Sequence, residues 1–119
     1  MITALTSGLT NEKYIPESEK NEPNPAEFTL KPLNGLEFME VMNEMYRDEN
    51  GVLRMPGEAL KKAINFGVRG WKNFLDPQGE DVPFNKSNIP LIPAPVLSDL
   101  ANKIISISEV GVAERKNSI

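Results

Sequence analysis

The chain reads as an α+β protein, mainly helical, with about three helices, a small hairpin and edge-strand component, and an extended N-terminal arm. Three observations lead there. Residues 27–33 alternate apolar and polar side chains at the period of a half-buried strand. Residues 34–47 carry a helix start signal followed by apolar residues at helical spacing. Two later segments, opening near Pro56 and Pro95, repeat that helical spacing behind a proline suited to a first turn.

Taken in order, residues 1–16 have weak periodicity, and Tyr14 and Ile15 form a short extended contact before Pro16 interrupts it. Residues 17–27 hold four Glu and two Pro, with Ala26 as the only apolar side chain among the rest. The stretch to residue 25 reads as a linker or long loop. In Glu27–Leu33, Phe28 and Leu30 share one side and Thr29 and Lys31 the other, and Pro32, which lacks a ladder donor, marks an edge or an end.

Asn34 is a good N-cap, and Glu37 reaches back to the cap in a variant of the capping box. Leu33 and Phe38 fit the hydrophobic staple around it. The helix is expected to run to about Arg47. Phe38, Val41, Met42 and Met45 form its apolar stripe, widened by Leu36, Met39 and Tyr46, with Glu37, Glu40 and Glu44 on a solvated face. Asp48-Glu49-Asn50-Gly51 is a turn, and Val52–Met55 a brief strand. A second helix places Leu60, Ala63, Ile64 and Val68 on its apolar face and ends at Gly67 and Gly70.

Trp71–Phe84 is a hairpin-like unit around Asp76-Pro77-Gln78-Gly79, which suits a type I turn. Asn85 caps a short turn through Asn88. Pro90, Pro93 and Pro95 delay the last helix, about Pro95–Ser108, which buries Val96, Leu97, Leu100, Ala101, Ile104 and Ile107. Gly111 is expected to end the order. The organisation is therefore an arm over 1–25, one α+β domain over 26–110, and a flexible tail over 111–119. Roughly 85 residues are left to fold, near the lower end of what stands alone. A core that lean is often completed by a partner.

Composition narrows the chemistry. The chain has no Cys and no His, so thiolate chemistry, disulfides, the usual general base and the commonest metal ligand are all missing. Thirteen basic against seventeen acidic side chains give a net charge of −4, without the basic stripe that nucleic-acid binding requires. Lys61-Lys62 and Arg115-Lys116 are isolated pairs. No stretch approaches the roughly 20 apolar residues of a membrane span. The N-terminal residues lack the basic flank and apolar run of a secretory signal. The expected location is the cytoplasm.

The remaining candidates have structural explanations. Glu37, Glu40 and Glu44 lie opposite the apolar stripe and are not a carboxylate pair in a cleft. Neither Asp48–Gly51 nor Asp76…Asp81 supplies the ligand series of a calcium loop. Gly67–Gly70 ends a helix, whereas a phosphate cradle precedes one. Ser98, Ser106 and Ser108 have no His to activate them. No cofactor, metal or catalytic residue is expected. Protein binding is left, and Met39, Met42, Met45 and Tyr46 on the first helix are its candidate residues, since Met surfaces adapt to varied partners, with ordinary core filling as the other reading of the methionines. Tyr14 and Ile15 of the arm join them as candidates.

Several segments in order carry a resemblance: Phe28-Thr29-Leu30-Lys31-Pro32-Leu33 entering a capped helix, Gly70-Trp71-Lys72-Asn73-Phe74, Asp76…Gly79…Val82-Pro83-Phe84, then Ile92-Pro93 and the helix with Leu97, Leu100 and Ile104. The chain resembles the small morphogenesis proteins of tailed bacteriophages and prophages, particularly the tail assembly chaperone type. The resemblance covers about residues 26–108 and has no catalytic motif. It implies a non-catalytic protein of the host cytoplasm that binds a tape-measure or tail-tube subunit during assembly. A structural virion component, such as a connector or decoration protein, and a phage-encoded inhibitor of a host complex are the alternatives. Homo-oligomerisation stays open.

Overall fold

The computed structural model describes residues 11–117, with side chains described through Ser108. Its architecture is α+β: three α-helices and two 3-10 turns pack with a three-stranded antiparallel sheet and a separate two-stranded hairpin.

The sheet has the order β1-β2-β5, from β1 (Glu12–Tyr14), β2 (Glu27–Leu30) and β5 (Val68–Lys72). The alternation in β2 has the expected phase. Phe28 and Leu30 are almost wholly buried, and Glu27 and Thr29 are half-buried. β2 is the central strand, with Tyr14 opposite Phe28 on one side and Trp71 opposite Phe28 on the other. It stops before Pro32, and Lys31 N–H donates instead to the Gly67 carbonyl at 2.7 Å.

The described part of the arm is laid against the domain. Beyond β1, a 3-10 turn at Glu17–Glu19 lets the Glu19 carboxylate accept from Ala26 N–H at 3.1 Å. Asn73 Nδ2 donates to the Pro25 carbonyl at 3.1 Å. Residues 1–10 of the expected arm lie outside the described residues.

α1 (Gly35–Glu44) opens on the expected cap, with both bonds of the capping box made at 2.9 Å. It ends three residues short of Arg47. Met45 turns to extended backbone at ψ 154°, and Tyr46–Arg47 become β3, paired with β4 (Leu53–Arg54). The intervening turn decides this. Asp48 accepts from the backbone N–H of Asn50 and Val52, and Gly51 takes φ 78°. A hairpin closed so tightly needs its arms extended.

α2 (Gly57–Gly67) runs between α1 and α3 and buries Ala59, Ala63, Ile64 and Gly67. A Cβ on Gly67 would lie 2.6 Å from the Ile104 side chain, so the glycine sets how closely α2 and α3 approach. α2 ends at Gly67 as expected, but Val68, expected on the helix's apolar face, and Gly70, expected at its end, belong to β5. Val68 leaves the helix at ψ 118° and pairs with Leu30, and Gly70 sits opposite Thr29.

After β5, the hairpin-like unit forms around Asp76, which accepts from the N–H of Gln78 and Glu80, with Gly79 at φ 80°. Asn73 takes φ 59° at its entrance. Trp71 makes edge-on contacts with Phe28, Phe74 and Phe84, and its indole N–H donates to the Val82 carbonyl at 2.7 Å. Asn85 caps a 3-10 turn, Lys86–Leu91, longer than the expected one and containing Pro90. α3 (Ala94–Asn117) carries Leu100, Ala101 and Ile104 into the core with no exposure. Its backbone continues past Ser108, the expected helix end, and through Gly111, the expected end of order; a glycine inside a helix costs only about 1 kcal/mol, and no proline follows.

Candidate protein-binding surface

α1 is short, and its burial is uneven. Val41 is its only buried residue, and Phe38 and Met45 pack half-buried against the core beside it. These three lie close together on a 3.6-residue period. Leu36, Met39 and Met42, spaced three apart, form a neighbouring ridge that faces out. They are 77%, 66% and 40% exposed. Isolated exposed apolar residues need no explanation, but three of them along ten residues of one helix do. Tyr46, 56% exposed, follows on β3, and Val52 and Leu53 are exposed across the hairpin.

The six candidate residues therefore separate. Met39, Met42 and Tyr46 are presented to solvent. Met45 and Tyr14 are half-buried and pack against the core, and Ile15 is half-buried beside β1. Burial pushes the Tyr14 phenol above its ordinary range, with nearby Asp99 of α3 adding to the effect. Met45 and Tyr14 thus act as packing residues, Met39 and Met42 belong to the outward ridge, and Tyr46 is exposed next to it on β3. Leu36, the most exposed residue of the ridge, is absent from the sequence-derived candidates. Its angular position was the available signal: five residues before Val41, it lies some 140° around the helix at about 100° per residue.

The acidic face also differs from the solvated stripe expected of it. Glu37 meets Lys31 at 2.5 Å, and Glu44 meets Lys62 at 3.0 Å, all four half-buried. Partial burial of Glu37 acts to raise its pKa. The Lys31 ammonium, the Asn34 N–H and the charge of Arg69 outweigh that, and its carboxyl titrates below the ordinary range. The pairs clamp α1 to the segment before it and to α2, which leaves the Leu36–Met42 ridge held in place rather than free to fold inward.

Among the described residues, no group of three or more His, Cys, Asp or Glu is placed to hold a metal ion. No described helix is long and apolar enough to cross a membrane. No buried side-chain nitrogen or oxygen among the described residues lacks a hydrogen-bond partner. No known family model, curated protein or solved structure matches the chain.

Proposed function

We propose that the protein works without catalysis, by binding an apolar segment of another protein through the outward ridge of α1, with Tyr46 of the hairpin beside it. The exposure of Leu36, Met39 and Met42 on a helix fixed by two half-buried ion pairs carries this reading. Each apolar square ångström covered contributes about 25 cal/mol before association costs are subtracted. Unbranched methionines adjust to a partner's contour at little strain.

The partner class comes from the resemblance alone: a tape-measure or tail-tube subunit of a tailed phage, held before it polymerises. A ridge rather than a deep groove suits transient cover of such a subunit, since contact of this size is readily displaced. Co-expression with tape-measure and tail-tube proteins followed by pull-down tests the reading. Capture that is lost in Met39→Glu/Met42→Glu supports it. No complex with any morphogenesis protein removes the phage assignment, and capture unaffected by the double substitution removes the α1 surface.

A further inference from the structure

A second feature lies away from the α1 ridge and goes beyond the protein-binding reading. A cleft of about 310 Å³ opens between α2, the 3-10 turn 86–91 and α3. Its walls are Ile64 of α2, Ile89 and Pro90 of the turn, and Leu97 of α3, and its polar lining is Lys61, Asn65 and Lys86. Among the described residues, no carboxylate lines it. Two lysines beside an apolar floor are an unusual pairing in a chain whose net charge is −4.

The two lysines are held differently: Lys61 is in an exposed ion pair with Glu58, and Lys86 is hydrogen-bonded to backbone. Lys86 Nζ donates to the Asn65 carbonyl, an acceptor of the last turn of α2. That bond holds the ammonium in place at the negative end of the helix, and it uses one of three donors without cancelling the charge. Lys61 meets Glu58 at 3.4 Å, with both side chains more than half exposed. Exposed pairs of this kind are weak and exchange readily for another anion. The cleft therefore offers fixed apolar walls, one held cation and one exchangeable cation.

We propose that this cleft binds a small apolar carboxylic acid, its chain against Ile64, Ile89 and Leu97 and its carboxylate between Lys61 and Lys86. The volume sets the size. It sits at the lower bound, about 300 Å³, of pockets that hold small molecules, so a short-chain acid such as octanoate is the fitting probe. A polypeptide segment is too large for it, and a fully polar anion would leave the apolar walls wet.

The test is titration of the full chain with octanoate, followed by amide chemical shifts and calorimetry, with octanol as the uncharged probe of equal length. The expected result is saturable octanoate binding with Kd below about 1 mM, and shifts centred on Asn65, Ile89 and Leu97. Octanol is expected to bind about tenfold more weakly, and Lys61→Gln/Lys86→Gln to weaken octanoate by about tenfold, each tenfold being about 1.4 kcal/mol. Both lysines are surface residues, so the double variant keeps the fold, which its circular dichroism verifies. Equal affinity for octanol, an unchanged affinity in the double variant, shifts centred on α1 instead, or no saturable binding each overturn the proposal. The α1 ridge is not part of the cleft, so pull-down through Met39 and octanoate binding succeed or fail separately.

Discussion

Ser108 joins two parts of the chain that are 75 residues apart. Its hydroxyl donates to the Ile104 carbonyl one helical turn back and accepts from the Leu33 N–H at 2.8 Å, with every group buried. Replacing it with alanine strands the Leu33 N–H away from water. Ser108→Ala is expected to cost about 1–3 kcal/mol, read as a lower urea midpoint at unchanged slope. Gly67 is the second residue with a single strong constraint. Gly67→Ala gains about 1 kcal/mol in helix propensity but drives a methyl into the Ile104 side chain, contacting it at 2.6 Å. Overpacking of that kind costs about 1–3 kcal/mol, so a net loss of stability is expected in the same urea measurement. The sequence shows Ser108 only as a polar residue on an apolar helix, because nothing local says that its partner is Leu33. The Asn34–Glu37 capping box was legible for the opposite reason, since both of its bonds span three residues.

At the scale of the element, α1 depends on Glu37 for both its cap and its link to Lys31. The Glu37 carboxyl titrates below its ordinary range, so it binds fewer protons folded than unfolded. Its stabilising contribution is full above the unfolded pKa of about 4.3 and is lost as pH falls through the lower folded value. Urea midpoints are expected to drop on acidification below about pH 4, and less steeply in Glu37→Gln. Asn34→Ala removes the other half of the box and is expected to cost about 0.5–2 kcal/mol at neutral pH. Periodicity located α1, α2 and α3, but several element boundaries escaped it, two of them for instructive reasons. β5 was hidden because Gly67 and Gly70 read as helix terminators, and its pairing with β2 is a long-range fact. The end of α1 was hidden because Tyr46 and Arg47 are as compatible with helix as with the hairpin that recruits them.

Across the whole molecule, the core and the surface of α1 respond differently to substitution. Leu100 has no exposure, and Leu100→Ala is expected to cost about 2–5 kcal/mol. Met39→Glu, at a site 66% exposed, is expected to change stability by less than about 0.5 kcal/mol while abolishing partner capture in the pull-down. The binding candidates were legible as a Met-rich segment. Their division into an outward ridge and an inward pair was not, because apolar residues repeat around so much of the helix that the pattern does not say which side meets α2. The cleft beside Lys86 was less legible still, as its lining residues come from three elements and carry no motif.

The position of Trp71 has a spectroscopic consequence. It is the only tryptophan of the chain, and its ring joins β5 to the 73–84 unit through Phe28, Phe74, Phe84 and the Val82 carbonyl. Its emission therefore reports the sheet and that unit, while the far-ultraviolet dichroism reports mainly the helices. Coincident unfolding curves from the two probes mean that sheet and helices melt together. An earlier shift in emission means that the aromatic joint opens before the helices melt.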